Sequence, residues 1–366
     1  MKVLSVFGTR PEAVKMAPVV RMLENAEGVE SRVCVTAQHR QMLDQVLGLF
    51  EIKPDYDLDL MRDNQSLAQL SAAIFTHLDP VFSDFKPDWV LAQGDTTTVA
   101  ITSLLAYFHR IKFGHVEAGL RTHDKWQPFP EEVNRRVAGV VADLHFAPTE
   151  WSQQNLLREG IDENIVKVTG NTVIDALQHV RKQTEPADIT QLIESKVGEK
   201  KLVLVTAHRR ENFGSPMEDI CNALLTLASR GDVQIVYPVH LNPNVQEPVN
   251  RLLKGKENIT LLPPLDYLPL VHLMKHATLI LTDSGGIQEE APAFGVPTLV
   301  LREVTERPEG VEAGTVKLVG TETKRIVEES NRLLDDESEY QKMARAANPY
   351  GDGHAAEKIV QYLLET

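Results

Sequence analysis

Short hydrophobic runs, rich in β-branched residues, recur along the chain and are separated by longer segments of helical periodicity. In the first half these runs predict five strands, over residues 2–7, 32–36, 88–93, 112–117 and 144–148. Between them, apolar residues spaced three and four positions apart predict helices, for example over residues 66–85 and 96–109. Regular alternation of strand and helix predicts a parallel sheet with right-handed crossover connections.

A second alternating series follows the polar stretch of residues 181–200 and predicts a second sheet. Its strands are expected over residues 201–206, 233–238, 258–263, 278–283, 297–301 and 315–320. We therefore predict an α/β protein of two Rossmann-like domains, residues 1–170 and 171–353, facing one another across a cleft. The last segment, residues 354–366, contains a predicted helix that could pack back on the N-terminal domain.

Length and composition agree with this division. A chain of 366 residues is too long for one ordinary core, and 42% hydrophobic with 25% charged residues is typical of a soluble globular protein. It has no apolar run of about 18 residues, which a membrane-spanning helix would need. The 38 basic and 52 acidic residues give a net charge of −14, which argues against a nucleic-acid partner but leaves room for a small anion in a locally basic cleft.

The N-terminus and the cysteines predict a cytoplasmic protein. The chain begins with a predicted core strand rather than with signal-peptide architecture. Cys34 and Cys221 lie far apart in apolar segments, which favours buried, reduced thiols over a disulfide bond.

The loop after the first strand combines a glycine turn with two cations. In open α/β sheets ligands bind beyond the carboxyl ends of the strands, so these loops are where chemistry is expected. Gly8 and Thr9 are followed by Arg10 and, one turn into the predicted helix, by Lys15. Helix N-terminal amides favour an anion and the two cations add to that, although a basic surface loop would have the same composition.

Carboxylates follow the next strands of the first half. Asp95 leaves the strand 88–93 and Glu117 ends an apolar strand, where an unpaired carboxylate would be costly. Glu131 begins a predicted helix with Arg135 four residues later. Carboxylates converging on one cleft raise each other's pKa, as proton-transfer catalysts need. The alternatives are that Asp95 only caps a helix and that Glu131 and Arg135 form a plain surface ion pair.

Histidines of the second half are candidates for phosphate and metal ligands. His208 follows the strand 201–206 beside Arg209 and Arg210, which suits a phosphate better than a structural role. His272 and His276 share a helix face but lack flanking acidic residues in the sequence, so a metal site is not expected there. Neither H-E-x-x-H nor C-x-x-C nor a Walker A sequence occurs.

A small-residue turn follows the strand 278–283. Ser284, Gly285 and Gly286 would let a diphosphate approach backbone amides at the start of a helix. Glu290, one turn later, could accept hydrogen bonds from ribose hydroxyls or could simply favour the helix dipole, and Arg307 could meet the same ligand. Because no G-x-G-x-x-G follows a strand, bound NAD is not expected.

Ten segments resemble the bacterial, non-hydrolysing UDP-N-acetylglucosamine 2-epimerases, in that family's order from Val6 to Gly353. They are FGTRPEAVKMAP, GDTTT, GHVEAGLRT, PFPEEVNRR, GNTVIDAL, HRRENFG, YPVHLNPNV, DSGGIQEEAP, ERPE and NPYGDG. The resemblance implies a fold shared with GT-B type glycosyltransferases. It also implies interconversion of UDP-N-acetylglucosamine and UDP-N-acetylmannosamine by elimination and re-addition of UDP through 2-acetamidoglucal, without a cofactor or metal.

The resemblance also implies roles for the residues singled out above. Asp95, Glu117 and Glu131 would be the acid and base at C2 of the sugar. The cationic groups that would hold the departing diphosphate or orient the carboxylates are Arg10, Lys15, Arg135 and His208. The groups that would hold phosphate and ribose are Ser284, Gly285, Gly286, Glu290 and Arg307.

The resemblance to this family further implies that the protein is a homodimer and serves surface polysaccharide synthesis. It also implies a regulatory site for a second UDP-N-acetylglucosamine. The matching segments, AQHRQML and YPVHLNP, make Gln38, Gln41 and His240 candidates for that site. The chain departs from the family pattern at Leu265 and Leu270, near the expected uracil contacts, and Gln93 stands where a histidine is frequent and is given no role.

Three other functions fit parts of the sequence. A GT-B glycosyltransferase would use the same UDP-sugar donor but would need an acceptor. A hydrolysing 2-epimerase would release free N-acetylmannosamine and UDP. A nucleotide-sugar sensor would bind the ligand without turnover, and would have no need of three carboxylates at the sugar end.

Overall fold

The structure is a computed structural model and describes residues 1–37, 40–62 and 64–366. Gln38, a candidate for the regulatory site, lies outside the described residues, as does the side chain of Gln41. The chain forms two compact units. The first contains Met1–Gln178 and Tyr350–Thr366, and the second contains His179–Pro349. Within the described ranges, no helix is both long and apolar enough to cross a membrane.

The first unit is built on a seven-stranded parallel sheet. Its strands are β1 Lys2–Phe7, β2 Glu30–Val35, β3 Tyr56–Asp57, β4 Trp89–Gln93, β5 Lys112–Val116, β6 Leu144–Ala147 and β7 Val166–Val168. Their order in the sheet is β3-β2-β1-β4-β5-β6-β7. The connecting helices are α1 Arg10–Glu24, α2 Arg40–Leu49, α3 Leu67–Phe85, α4 Thr97–His109, α5 Glu131–Val141, α6 Glu150–Arg158 and α7 Thr172–Val180. Because β1 and β4 are neighbours, the loops that follow them lie at the same sheet edge.

The second unit is built on a six-stranded parallel sheet of order β10-β9-β8-β11-β12-β13. Its strands are β8 Lys201–Thr206, β9 Val233–Pro238, β10 Ile259–Leu262, β11 Leu279–Thr282, β12 Thr298–Val300 and β13 Val316–Leu318. Its helices are α8 Ala187–Leu192, α9 Ser215–Ala228, α10 Pro243–Leu253, α11 Tyr267–His276, α12 Gly285–Glu290, α13 Pro308–Glu312, α14 Thr323–Asp335 and α15 Glu337–Ala344. The central pair β8 and β11 brings the loops after residues 206 and 282 side by side.

The last helix, α16 Ala355–Leu364, belongs to the first unit and packs on α1. The first turn of α16 is held by a carboxylate of α7: the backbone N–H groups of Ala355 and Ala356 donate to Asp175 at 3.2 and 2.8 Å. These bonds satisfy two of the donors that a helix N-terminus leaves free. They also attach the last helix of the chain to the first unit.

The predicted α/β class with two parallel sheets is confirmed, and each predicted strand has an observed counterpart within two residues at either end. The sequence does not predict strands β3 and β7, because two and three residues are too few to show a period. The polar stretch 181–200 contains the short helix α8. Cys34 and Cys221 are buried and unpaired, as expected for reduced thiols.

Candidate active site

The loop between β1 and α1 is organised around the start of the helix. Thr9 is the N-cap residue, and its hydroxyl accepts from the N–H of Glu12. The Glu12 carboxylate in turn accepts from the N–H of Thr9 at 2.8 Å, which completes a capping box. Arg10 lies in the first turn and is partly exposed. In the described part of the chain no acidic group or carbonyl pairs with the Arg10 guanidinium, which leaves this cation available to an anion.

Lys15 is directed to a carboxylate. Its ammonium donates to Oε1 of Glu117, and the two side chains are only 11% and 6% exposed. Glu117 also receives hydrogen bonds from the amide of Asn171, at 3.1 Å, and from the amide of Gln93. Three donors therefore surround one buried carboxylate. Lys15 therefore contacts one of the candidate carboxylates, and its role toward a ligand stays a prediction.

Glu117 has an unusual backbone conformation. It follows β5 with φ of +60°, in the left-handed region that residues other than glycine rarely adopt. Such conformations cost about 1–3 kcal/mol and tend to occur at functional sites, where surrounding contacts maintain them. Here the donors from Lys15, Gln93 and Asn171 maintain the geometry of the carboxylate.

Asp95 and Arg135 form a second ion pair. The Nε and Nη2 atoms of Arg135 lie 2.8 and 2.7 Å from Oδ2 of Asp95, and Nη1 donates to Glu132 at 3.0 Å. Burial disfavours the charged guanidinium, but the two carboxylates outweigh it and raise the pKa of Arg135 above its ordinary value. The surface ion pair with Glu131 suggested by the sequence is wrong for Arg135, which is buried and pairs with Asp95 and Glu132. Glu131 is the first residue of α5 and is partly buried.

Glu132 is a structural carboxylate that the sequence does not single out. Its side chain is fully buried and accepts from the backbone N–H groups of Thr122 and His123, at 3.0 and 3.2 Å. Together with the bond to Arg135, these contacts join the segment after β5 to α5 and, through Arg135, to Asp95.

Two buried histidines, His115 of β5 and His145 of β6, occupy paired positions on neighbouring strands. His115 Nε2 donates to the carbonyl of Gly94, the residue before Asp95, at 2.7 Å. Burial lowers the pKa of His115 to about 4 and that of His145 to about 3. Both rings are therefore neutral at pH 7, and His115 fixes the backbone that leads to Asp95.

In the second unit His208 is held by a buried aspartate. Asp283, which follows β11, accepts from the backbone N–H groups of His208 and Arg209, each at 2.8 Å, and from the amide of Asn212 at 3.0 Å. The Nδ1 atom of His208 lies 3.5 Å from the other oxygen of Asp283. The ring of His208 is stacked on that of His240, with 5.3 Å between centroids, and its side chain remains 38% exposed.

The turn of small residues adjoins Arg307. A Cβ atom on Gly285 would lie 2.8 Å from Cζ of Arg307, so a larger residue here would require the Arg307 guanidinium to move. Arg307 donates to Glu289 at 2.9 Å and to Glu306 at 2.8 Å. Ser284 is the N-cap of α12, followed by Gly285 and Gly286, as the sequence predicts. Glu290 ends α12 and is buried, and burial together with this carboxylate raises the pKa of Tyr267.

The paired histidines of α11 have an acidic partner that does not flank them in the sequence. Glu185, from the segment before α8, lies 3.3 Å from His272 and 2.7 Å from His276. The sequence could not reveal it because the residues are far apart in the chain. No group of three His, Cys, Asp or Glu side chains suited to a metal is found among the described residues.

The partners of the candidate residues are largely invisible in the sequence. Sequence reasoning assigns no role to Gln93 and does not single out Asn171, Glu132 or Asp283. A polar residue ending a buried strand is the available signal for Gln93 and Asp283, and the segment GNTVIDAL contains Asn171.

Comparison with known proteins agrees with the motifs. The family model for UDP-N-acetylglucosamine 2-epimerase matches residues 21–364. A UDP-N-acetylglucosamine 2-epimerase from Yersinia pestis is 59% identical over 369 residues, which cover 99% of this chain and 98% of that protein.

Solved structures give the same result. The UDP-GlcNAc 2-epimerase from Neisseria meningitidis bound to UDP-GlcNAc has a TM-score of 0.92 and 51% identity, with 100% of both chains covered. The enzyme from Methanocaldococcus jannaschii in complex with UDP-GlcNAc and UDP has a TM-score of 0.82 and 33% identity, again with 100% of both chains covered. The two-sheet α/β fold is shared with these epimerases. The chain therefore belongs to the UDP-N-acetylglucosamine 2-epimerase family.

Proposed function

We propose that the protein is a non-hydrolysing epimerase that interconverts UDP-N-acetylglucosamine and UDP-N-acetylmannosamine through 2-acetamidoglucal. The observation that carries the proposal is the arrangement of carboxylates in the first unit. Glu117 is surrounded by Lys15, Gln93 and Asn171, and Asp95 is paired with Arg135. Positioned carboxylates of this kind suit proton removal and return at one carbon atom.

The chemistry needs a base, an acid and a stabilised leaving group. A carboxylate removes the C2 proton, a double bond forms between C1 and C2, and the C1–O bond breaks with its electron pair leaving on UDP. UDP then adds back at C1 while C2 is protonated on its other face. We assign proton transfer to Asp95, Glu117 and Glu131.

The departing diphosphate needs cations that are not already neutralised. Arg10 meets this requirement among the residues that the structure describes. The side chain of His208, 38% exposed beside Asp283, is proposed as a further hydrogen-bond donor to the diphosphate. Charge-assisted hydrogen bonds from such groups stabilise a phosphate that gains charge as the C1–O bond breaks. The groups proposed for phosphate and ribose in the second unit are Ser284, Gly285, Gly286, Glu290 and Arg307.

One experiment separates this reaction from the alternatives. Proton NMR of UDP-N-acetylglucosamine in heavy water, with the protein and no acceptor, should show UDP-N-acetylmannosamine and deuterium at C2 of both sugars. Free N-acetylmannosamine with UDP would indicate a hydrolysing epimerase instead. An unchanged substrate would contradict the proposal and leave a glycosyltransferase or a sensor.

We also propose that a second UDP-N-acetylglucosamine activates the protein at a site that includes Gln38, Gln41 and His240. The contact between the His240 and His208 rings supports this, since it joins a regulatory candidate to a catalytic one. The Methanocaldococcus jannaschii relative forms a complex with both UDP-GlcNAc and UDP. A homodimer in the cytoplasm that supplies N-acetylmannosamine for surface polysaccharide completes the proposal.

A further inference from the structure

Glu12 connects two strand-exit loops that are far apart in the chain. Its side chain is buried, and Oε2 accepts from the backbone N–H groups of Gly8 and Thr9 at 3.1 and 2.8 Å. The other oxygen, Oε1, accepts from the hydroxyl of Thr96 at 2.8 Å. The first loop leads to Arg10, and Thr96 directly follows Asp95.

Helix capping accounts for only part of these contacts. The bonds to Gly8 and Thr9 are local to the start of α1, where Thr9 and Glu12 form the capping box. The bond to Thr96 crosses from β1 to β4, which are neighbours in the sheet, and joins residues 84 positions apart. Thr96 is itself the N-cap of α4. One carboxylate is therefore shared by the starts of two helices.

The chain maintains this carboxylate at a cost. No basic side chain pairs with Glu12 in the part of the chain that the structure describes. Burial raises the pKa of Glu12 to about 7, although hydrogen bonds from Gly8, Thr9 and Thr96 act to lower it. A residue that only capped α1 would not need a second oxygen directed at another loop.

We propose that Glu12 is a positioning residue for the epimerisation, holding the loop of Arg10 and the loop of Asp95 in one fixed relation. The inference rests on the proposed function only in assuming that these two loops carry reacting groups. Arg10 would meet the leaving diphosphate and Asp95 the sugar. A displacement of either loop would misalign groups that must act on the same molecule, and misalignment of this kind lowers turnover.

A matched control exists in α3. Ser66 and Gln69 form the same capping box: the Ser66 N–H donates to the Gln69 side chain at 2.9 Å, and the Gln69 N–H donates to the Ser66 hydroxyl at 3.2 Å. Both bonds are exposed and local. Gln69→Ala therefore removes a capping interaction of the same type without touching the candidate site.

The test compares Glu12→Ala, Glu12→Gln and Gln69→Ala by hydrogen–deuterium exchange and by kinetics. In Glu12→Ala the amides of residues 94–98 should exchange about tenfold faster or more, because the distant loop has lost its anchor. Turnover should fall about tenfold or more, with KM changed far less. Glu12→Gln should restore most of both, since its amide oxygen can accept from Thr9 and its NH2 group can donate to the Thr96 hydroxyl. Gln69→Ala should leave both at the wild-type values.

Two results would overturn the proposal: unchanged exchange at residues 94–98 in Glu12→Ala, or equal loss of turnover in Glu12→Ala and Gln69→Ala. Exchange is measured without substrate, so it tests the connection between the loops even if the protein proves not to be an epimerase. If Glu12→Ala does not fold, Thr96→Val with Thr96→Ser as the restoring variant breaks the same bond from the other side. Normal exchange and turnover in Thr96→Val would likewise exclude the role of Glu12.

Discussion

Glu117 illustrates how neighbouring contacts fix the position of a single side chain in this protein. Its backbone adopts a left-handed conformation, and its carboxylate is fixed by donors from α1, β4 and the start of α7. Each contact restricts the carboxylate before any ligand arrives. Preorganisation of this type reduces the reorganisation needed when charge develops in a transition state.

The acid and base roles predict a large effect of neutral isosteres. Asp95→Asn or Glu117→Gln should lower turnover about 100-fold or more, the usual scale for lost acid–base catalysis, because the amide cannot exchange the C2 proton. UDP affinity, measured by calorimetry, should change much less. Glu51→Gln, whose side chain is 81% exposed, is the control for a lost surface charge. Near-normal turnover in Asp95→Asn or Glu117→Gln would remove that residue from the mechanism.

The proposed diphosphate contacts of Arg10 and His208 predict that removing either side chain weakens UDP binding. Arg10→Ala and His208→Ala should each weaken UDP binding by about 1.5–3 kcal/mol, the range for a hydrogen bond to a charged group. Arg251→Ala removes an exposed arginine that is already paired with Glu218 and Glu247, and should leave UDP affinity unchanged. Calorimetry that found the same UDP affinity for Arg10→Ala and the wild type would exclude Arg10 as a diphosphate ligand.

At the scale of elements, the close packing of the segment after β5 against α6 requires a glycine. Gly119 has φ of +94°, and a Cβ atom there would lie 2.2 Å from the carbonyl oxygen of Ser152 in α6. Gly119→Ala should therefore destabilise the protein by about 2–4 kcal/mol through overpacking and backbone strain together. Gly160, with φ of +85°, has nothing within 4 Å of its Cβ position and is the matched control for strain alone. Equal losses in the two variants, measured by urea denaturation, would show that the contact with α6 adds nothing.

The buried His115 of β5 predicts that the folded state loses stability in acid. The folded-state pKa of His115 is about 4, below its ordinary value of 6.5, so the unfolded chain takes up the proton first as pH falls. The contribution is complete above about pH 6.5 and disappears progressively toward pH 4, amounting to about 3 kcal/mol. His115→Gln retains a donor for Gly94 and does not titrate.

Urea denaturation at pH 7.5 and 4.5 would measure this contribution as the difference between wild type and His115→Gln. The difference is needed because Glu12 acts in the opposite direction: its raised pKa stabilises the folded state as pH falls from 7 toward 4.5. We expect the variant to lose less free energy of unfolding than the wild type between these pH values. A parallel loss in both proteins would show that His115 does not protonate on unfolding.

At the scale of the whole molecule, the proposed second ligand predicts a lag. The reverse reaction, started from UDP-N-acetylmannosamine alone, should be slow until some UDP-N-acetylglucosamine is present, because an activator must favour the active state by its differential affinity. His240→Ala should weaken activation, and Leu241→Ala, at an exposed neighbouring position, should not. Immediate full-rate reverse turnover with purified UDP-N-acetylmannosamine would rule out the activator.

Much of this protein can be read from its sequence because the relevant signals are local. The two series of strands are visible because hydrophobic runs and helical periods are properties of neighbouring residues, and strands β1, β8 and β9 have the predicted bounds. Residues at strand exits are also visible, since the end of a buried run marks the ligand-binding edge of a parallel sheet. The amino-acid sequence alone is therefore enough to select Asp95, Glu117 and His208 as candidates.

What only the tertiary structure decided is which of these residues contact one another. Lys15 meets Glu117 across 102 positions of the chain, and Glu12 meets Thr96 across 84. Asp283 organises the loop of His208, and Glu185 reaches the histidines of α11. Such contacts depend on strand order and on the side of the sheet on which each helix crosses. The period of hydrophobic residues along the chain carries no information about either. The sequence therefore determined the elements and their polar ends, while the packing of the sheets determined the pairs, because a pair is a property of two distant segments at once.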